Sequence, residues 1–257
     1  KTKVELGQGV GADIVNYAFN TIYNCFARTA AFSPNGADTK IRFRLAEYDP
    51  NGRKMEEKGI NRYSLSTSDL NNLNPEKIKN NPKICWDYKR YLNIWIVENM
   101  GNSVSTPHYI LNTADLNQIQ GVSFEQLSLE EIEKQEYSLT DIGLIYGARD
   151  FAIEDVGYPT QMGKFFGLLD TENQKEDYCE DTFAYNTYKE PWNTALEGSN
   201  SRLKISSDGL LFYAVNIMDD GSYKNTISMD QVKRIRTITD NCPHRWAWKS
   251  DWAFTGK

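Results

Sequence analysis

The segment from residue 13 to residue 31 is the strongest constraint on the fold, because its apolar residues recur at helical spacing. One stripe of this predicted helix contains Ile14, Ala18, Ile22 and Phe26. An amphipathic helix of this length needs an apolar partner surface. Strand-type patterns follow it: residues 41–45 alternate between apolar and charged, and residues 91–97 are more continuously apolar, as in a central strand. The combination predicts an α+β fold.

The second half of the chain also mixes the two patterns. Ser128, followed by Glu130 and Glu131, predicts the start of a helix, and residues 142–146 predict a strand. Helices are predicted over residues 161–169, after Pro159, and over residues 228–238. In the last helix we expect two residues, Val232 and Ile235, to face inward, and three residues, Lys233, Arg234 and Arg236, to face outward.

Two stretches lack a clear period. Residues 47–83 are polar and predict an irregular excursion with a short helix over residues 66–73. Residues 171–209 contain many turn formers. Trp246, Trp248 and Trp252 lie near the end of the chain, and their spacing predicts a terminal strand with the indole rings on the core side.

Composition narrows the function classes. The 257 residues are 40% hydrophobic and 12% aromatic, which is typical of a folded globular protein. A net charge of −6 without a basic stretch argues against nucleic acid as a partner. The longest nearly apolar run, residues 210–218, is broken by Asn216 and is too short to be a transmembrane segment.

The four cysteines, Cys25, Cys85, Cys179 and Cys242, show no CxxC spacing and lie beside no cluster of histidines. This argues against zinc-ribbon and thioredoxin-like sites. An even count fits two disulfides in an oxidising compartment and equally fits four thiols in a reducing one, and it assigns no pairing. The sequence starts at Lys1 without a charged and then apolar leader, so we expect a mature or trimmed form, from which localisation does not follow.

The stretch YPTQMGKFFGLLD, residues 158–170, has the spacing of a known zinc motif. It resembles HExxHxxGxxH of the metzincin metallopeptidases, in which two histidines one helical turn apart and a third after a glycine turn bind one metal ion. The residues between the functional positions match the pattern of that family. They are Gly163, the Phe165-Phe166 pair, Gly167 and the Leu168-Leu169 pair. The functional positions differ: Thr160 replaces the first His, Gln161 the Glu base, Lys164 the second His and Asp170 the third.

Other segments are similar to the pappalysin-type metzincins. The N-terminal lobe of that family is resembled by the stretch IRFRLAEYDPNG, by the Gly59-Ile60 pair, and by Trp86-Asp87 together with residues 91–95. Residues 216–219 resemble its Met-turn, residues 227–235 the helix after that turn, and residues 177–182 a segment with a Cys and an Asp-Thr pair. The resemblance therefore runs from about residue 14 to residue 238.

The resemblance implies a metzincin-like zincin fold of two lobes. Residues 1–167 would form an N-terminal lobe with a twisted mixed sheet and two long helices, ending at the motif turn, Gly167. Residues 168–257 would form a smaller irregular lobe with the Met-turn residue Met218, one helix and the Trp-rich tail. In relatives the cleft between the lobes holds an extended peptide. Because relatives are exported, we also expect export to the periplasm, cell surface or medium, with a lipid anchor on the leader as one route.

The residues at the motif positions argue against catalysis. The chain has two histidines, His108 and His244, so a three-histidine site within one chain is excluded. Thr160 is a poor zinc ligand, and the ammonium of Lys164 has no lone pair to donate. Gln161 cannot accept a proton at neutral pH, so the general base is missing. The sequence predicts an inactive homologue without a cofactor, whose cleft binds a peptide or protein.

Two features of the motif region are expected to persist without a metal. Since the second and third histidines of the parent motif converge on one ion, Lys164 and Asp170 should converge too, with Thr160 and Gln161 as further polar partners. Met218, which forms an apolar floor under the metal in relatives, should stay buried.

Alternatives remain open from the sequence. One is an active zinc-dependent metallopeptidase with an unorthodox ligand set, and another is a structural or carbohydrate-contacting surface module that uses the Trp-rich tail. Calcium is a further candidate, because some relatives bind it in the C-terminal lobe and carboxylates are its usual ligands. The residues that would bind it are Asp177, Glu180, Asp181, Asp219 and Asp220. Solvated carboxylates are the simpler interpretation of these residues, and the sequence identifies neither the ligand nor the oligomeric state.

Overall fold

The computed structural model describes residues 10–29, 36–63, 78–97, 109–112, 119–152, 157–172, 176–186, 203–220 and 224–249. The helices are α1 (Ala12–Phe26), α2 (Leu129–Lys134), α3 (Leu139–Ile142), α4 (Ala148–Ala152), α5 (Tyr158–Phe165) and α6 (Met229–Asn241), followed by a 3-10 helix (Pro243–Lys249). The strands are β1 (Asn93–Val97), β2 (Tyr109–Asn112), β3 (Ser123–Gln126), β4 (Gly143–Gly147), β5 (Leu203–Ile205) and β6 (Leu211–Tyr213).

Helix α1 confirms the first sequence prediction, although it is shorter than expected. Its buried face contains Ala18, Ile22 and Phe26, all on the predicted stripe. The helix ends at Phe26 because Arg28, two residues later, has a φ of 55°, which is a left-handed conformation that α-helix cannot continue through. Residues 30 and 31, the end of the predicted helix, lie outside the described residues.

Strands β1 and β4 confirm the two predicted strands in the centre of the chain. They pair in parallel, with Asn93 opposite Gly143 and Val97 opposite Gly147. All five residues of β4 are buried, which explains its continuous apolar sequence. Two further pairs lie in the described part of the chain: β2 with β3 in parallel, and β5 with β6 in antiparallel orientation.

The prediction of a strand over residues 41–45 is wrong. The structure assigns no strand there, although Ile41 and Phe43 pack against the main core. The ring of Phe43 lies 5.3 Å from that of Phe26 and 6.3 Å from that of Phe166, measured between centroids. Period-two spacing therefore indicates here which side chains are partly buried against the core. It does not supply the partner strand that a β-ladder requires.

The C-terminal region departs from prediction in two places. Arg234 faces inward because its Nε donates a hydrogen bond of 2.6 Å to the carbonyl oxygen of Gly167, whereas Val232 and Ile235 are buried as predicted. The expected terminal strand is a 3-10 helix up to Lys249, and residues 250–257 lie outside the described residues. Arg245 holds this helix in place by donating from Nε to the carbonyl oxygen of Phe165 at 2.9 Å. The short helix predicted over residues 66–73 also falls outside the described residues.

The main apolar core combines residues from both sides of Gly167. Phe26 of α1, Leu144 of β4 and Met162 of α5 pack in one cluster with Met218 and Ile235. The division into lobes at residue 167 remains a prediction. Among the described residues, no helix has the length and apolar composition needed to cross a bilayer.

Candidate functional site

Helix α5 carries the motif positions and starts earlier than predicted. It runs from Tyr158 to Phe165, because Pro159 occupies the first turn, where a proline costs no helical hydrogen bond. Its C-terminal end is a Schellman motif. The N–H of Gly167 donates to the carbonyl oxygen of Lys164, and the N–H of Leu168 donates to that of Gly163, both at 2.9 Å. Gly167 has a φ of 83°, which favours glycine, and so turns the chain back along the helix.

The turn at Gly167 brings Lys164 and Asp170 together, as the sequence predicts. The Nζ atom of Lys164 lies 2.9 Å from Oδ1 and 3.0 Å from Oδ2 of Asp170. The Lys164 side chain is 18% exposed and that of Asp170 is 27% exposed. The pair is therefore largely covered by protein and still reached by water. It presents one ammonium and one carboxylate to each other.

Thr160 and Gln161 do not join this pair, contrary to expectation. The buried Thr160 hydroxyl donates instead to the carbonyl oxygen of Ile217, at 2.5 Å. The Oε1 atom of Gln161 is buried, and no hydrogen-bond donor for it lies among the residues described. The threonine side chain is short, and the carbonyl oxygen of Ile217 is closer to it than the ammonium of Lys164, which lies one helical turn further along α5. Its hydroxyl therefore contacts the segment that passes beneath α5.

That segment is the turn at residues 216–219, and it is held by its own side chains. Oδ2 of Asp219 accepts from the N–H of Asn216 at 2.8 Å, and Oδ1 of Asn216 accepts from the N–H of Met218 at 2.9 Å. Met218 is 1% exposed, in agreement with the burial expected for it. A Cβ atom on Gly163 would lie 2.9 Å from the Met218 sulfur, so α5 packs closely on the turn and a larger residue there would require the methionine side chain to shift.

Charged groups surround this turn. Asp219 is buried and accepts a hydrogen bond of 2.6 Å from the Thr171 hydroxyl, and burial raises the pKa of Asp219 to about 6. Burial lowers the pKa of Lys224, while the carboxylates of Asp219, Asp220, Glu172 and Asp170 oppose that shift. The turn thus lies in a region of mixed charge with little solvent.

Three of the acidic candidates for calcium lie near the start of α6. Oδ1 of Asp181 accepts from the Ser228 hydroxyl at 2.6 Å, and its Oδ2 accepts from the N–H of Asp230 at 3.0 Å. The N–H of Glu180 donates to Oδ2 of Asp230 at 3.2 Å. Oδ2 of Asp177 accepts from the Thr182 hydroxyl at 2.8 Å, and burial raises the pKa of Asp177. Asp181 therefore caps a helix, where a carboxylate is favourable.

The calcium candidates do not converge. The N–H of Asp220 donates to the Tyr185 hydroxyl at 2.6 Å, and Asp219 contacts the turn as described above. Across the described ranges, no three side chains of His, Cys, Asp or Glu are grouped as metal ligands. Calcium binding remains a prediction.

Sequence reasoning missed two residues that fix the turn. Thr171 donates to Asp219, and Gln231 makes a two-way amide pair with Asn216, with N···O distances of 2.8 and 3.0 Å. A signal for Gln231 was present, because Ser228 and Gln231 have the spacing of a capping box, which the structure contains. Nothing in the sequence distinguished Thr171 from other loop threonines.

The histidines and cysteines have structural environments. His244 is buried against the rings of Tyr88 and Tyr137, at centroid distances of 5.2 and 5.6 Å, and burial lowers its pKa to about 4. His108 lies outside the described residues. The structure has all four cysteines as free thiols. Burial raises the pKa of Cys85 to about 11, and that of the other three thiols to about 12.

No protein-family model matches the chain, and no curated protein matches its sequence. Solved structures do match. Mature mirolysin of Tannerella forsythia in complex with a cleaved peptide has a TM-score of 0.54 and 16% identity, covering 96% of this chain and 91% of that one. Mirolysin in complex with compound 9 has a TM-score of 0.53, 16% identity and the same coverage of 96% and 91%. A promirolysin mutant from Tannerella forsythia has a TM-score of 0.52 and 18% identity over 93% of this chain and 78% of that one. The chain therefore has a mixed α and β fold that matches the metzincin-like fold of mirolysin.

Proposed function

We propose that this protein is a catalytically inactive homologue of the pappalysin-type metallopeptidases, and that it binds a peptide or protein in the cleft of its metzincin-type fold. The observation that carries the proposal is the ion pair between Lys164 and Asp170 at the positions of two zinc-binding histidines. A paired ammonium cannot coordinate a cation, since it has no lone pair and carries the same sign of charge.

The other motif residues do not fit a zinc ion either. The hydroxyl hydrogen of Thr160 is donated to the carbonyl oxygen of Ile217. Gln161 offers an amide, which is neutral and cannot take a proton from a water molecule at neutral pH. The set of donors therefore lacks both the ligands and the base that metal-assisted peptide hydrolysis requires.

The fold is the support for a binding function. The mirolysin structure that matches most of this chain is a complex with a cleaved peptide, so a protein of this fold holds peptide chains. Loss of the metal ligands leaves the shape of a cleft unchanged where packing maintains it. We further propose that the protein is exported and that residues 1–167 and 168–257 form the two walls of this cleft.

Catalytic inactivity is tested with protein purified without chelators and then incubated with zinc. We expect no zinc above background by total metal analysis and no cleavage of denatured casein. The matched gain-of-function variant changes Thr160→His, Gln161→Glu, Lys164→His and Asp170→His together, and it should bind zinc. Stoichiometric zinc, or chelator-sensitive cleavage, in the unaltered protein would show that it is an active peptidase with an unorthodox ligand set.

Peptide binding is tested by selection from a library of unstructured peptides displayed on phage, against the immobilised full chain. The selected peptides should protect amides around α5 and residues 216–219 from hydrogen exchange. Failure to enrich any peptide, or protection confined to surfaces remote from α5, would contradict the binding part of the proposal and leave the prediction of inactivity standing.

A further inference from the structure

A metal ion in a metzincin-type site also has a structural effect, because its ligands tie the motif helix to the chain that follows it. The residues that replace the histidines here make contacts of their own, which tie α5 to the chain that follows it and also to the turn at residues 216–219. Thr160 reaches from α5 to Ile217, and Lys164 reaches from α5 to Asp170. The next residue, Thr171, reaches from the return segment (residues 168–171, after Gly167) to the turn at residues 216–219 (the Met218 turn).

We infer that these three contacts form a metal-independent clamp, defined as Thr160, Lys164–Asp170 and Thr171, which holds α5, its return segment and the Met218 turn together in place of a metal ion. The inference uses the correspondence of Thr160, Lys164 and Asp170 to the metal-binding positions on which the proposed function rests. It does not require that the cleft bind a peptide.

The geometry of the two threonines supports a clamp. The Thr160 hydroxyl donates to the carbonyl oxygen of Ile217 at 2.5 Å, and the N–H of Thr171 donates to that of Met218 at 3.3 Å. Two adjacent carbonyl oxygens of the turn thus accept hydrogen bonds, one from α5 and the other from the return segment. The Thr171 hydroxyl has one hydrogen and lies 2.6 Å from Oδ1 of Asp219 and 3.1 Å from the Met218 carbonyl oxygen, so the carboxylate is its main acceptor.

Because the groups of the clamp are buried, the loss of one of these hydrogen bonds should lower the stability of the fold. Thr160, Thr171, Ile217, Met218 and Asp219 are all buried. Loss of a hydroxyl would leave a carbonyl or carboxylate oxygen desolvated without that donor, which costs more than the hydrogen bond is worth at an exposed site.

The test compares Thr160→Val and Thr171→Val with Thr237→Val as a matched control. Thr237 also donates to a carbonyl oxygen, that of Lys233 at 3.0 Å, but it lies at the surface of α6. We expect Tm to fall by about 2–10 °C for each clamp variant and by about 2 °C or less for the control. Thr160→Ser, which keeps the hydroxyl, should recover most of the loss.

A local measurement separates a clamp from general destabilisation. In the clamp variants, amide exchange at Thr171 and Met218 should accelerate more than exchange in β4. In the unaltered protein those two amides should be protected to the same degree with and without a chelator, and zinc should leave Tm unchanged. These measurements on the unaltered protein still test the inference if a valine variant fails to fold. Clamp variants that match Thr237→Val, fast exchange at Thr171 and Met218 in the unaltered protein, or a rise in Tm with zinc would each overturn the inference.

Discussion

Replacing Lys164 by Met measures what the Lys164–Asp170 pair contributes to stability. Methionine keeps most of the volume of the lysine stem and removes the ammonium, so the change isolates the charge. Asp170 is then left without the partner whose Nζ lies 2.9 Å from its Oδ1. The free energy of unfolding should fall, because a largely covered carboxylate loses its counter-charge.

The magnitude follows from the distance and the exposure. At 2.9 Å the Coulomb energy of two unit charges is about 6 kcal/mol for an effective dielectric constant of about 20, and about 1.4 kcal/mol in bulk water. Desolvation offsets part of this attraction. Breaking a fully buried pair costs about 3–5 kcal/mol, and exposed pairs contribute about 0.2–1 kcal/mol. With side chains 18% and 27% exposed, the pair lies between these limits, and we expect a loss of about 1–3 kcal/mol for Lys164→Met.

The assay is urea denaturation of the full chain, followed by a double-mutant cycle with Asp170→Leu. The double variant should be more stable than either single variant, because no uncompensated charge remains. The matched control is Lys134→Met, which breaks the pair with Glu130, whose side chains are 70% and 78% exposed. That control should change the free energy of unfolding by about 0.5 kcal/mol or less. A loss for Lys164→Met no larger than for Lys134→Met, or a double variant less stable than both single variants, would refute the reasoning.

Three further predictions use internal controls of the chain. Dilute peroxide should oxidise Met229, which is 56% exposed, well before Met218, which is 1% exposed, as peptide mass spectrometry of the folded protein will show. Because burial lowers the pKa of His244 to about 4 from 6.5, the unfolded chain binds more protons between these values, so this residue should reduce stability as pH falls from 6.5 to 4. His244→Phe should therefore reduce the loss of stability between pH 6.5 and pH 4, and an unchanged pH profile would contradict the assignment of His244. Asp219 has the opposite sign, since its raised pKa of about 6 makes the folded state lose stability as pH rises from 3.8 to 6. An alkylating reagent at neutral pH should modify Cys85 before the three buried cysteines, and equal rates in the folded protein would contradict the burial that raises their pKa values.

Part of the fold and of the site could be predicted from the sequence because it depends on local patterns. The stripe of α1, the apolar sequence of β4 and the capping boxes at Ser128 and Ser228 each lie within one element. The convergence of Lys164 and Asp170 is local too, since only six positions separate them and a glycine turn closes that distance.

Other features depend on packing between distant segments, and the sequence patterns led to wrong predictions there. Residues 41–45 alternate like a strand because Ile41 and Phe43 contact the core, yet the structure pairs them with no strand. The sequence spacing puts Arg234 on the polar side of helix α6. It is nevertheless buried, because its Nε donates a hydrogen bond to the carbonyl oxygen of Gly167 after the end of α5. A single-sequence pattern contains neither the partner strand nor that acceptor.

The sequence by itself therefore determined helices α1 and α6, strands β1 and β4, and the residue types at the motif positions. The tertiary structure alone decided what those replaced residues bind. Thr160 and its acceptor Ile217 are 57 positions apart, and Thr171 and Asp219 are 48 positions apart. The physical reason is that a hydrogen bond requires two atoms within about 3 Å of each other, and for such distant residues only the packing of α5 on the Met218 turn brings those atoms together.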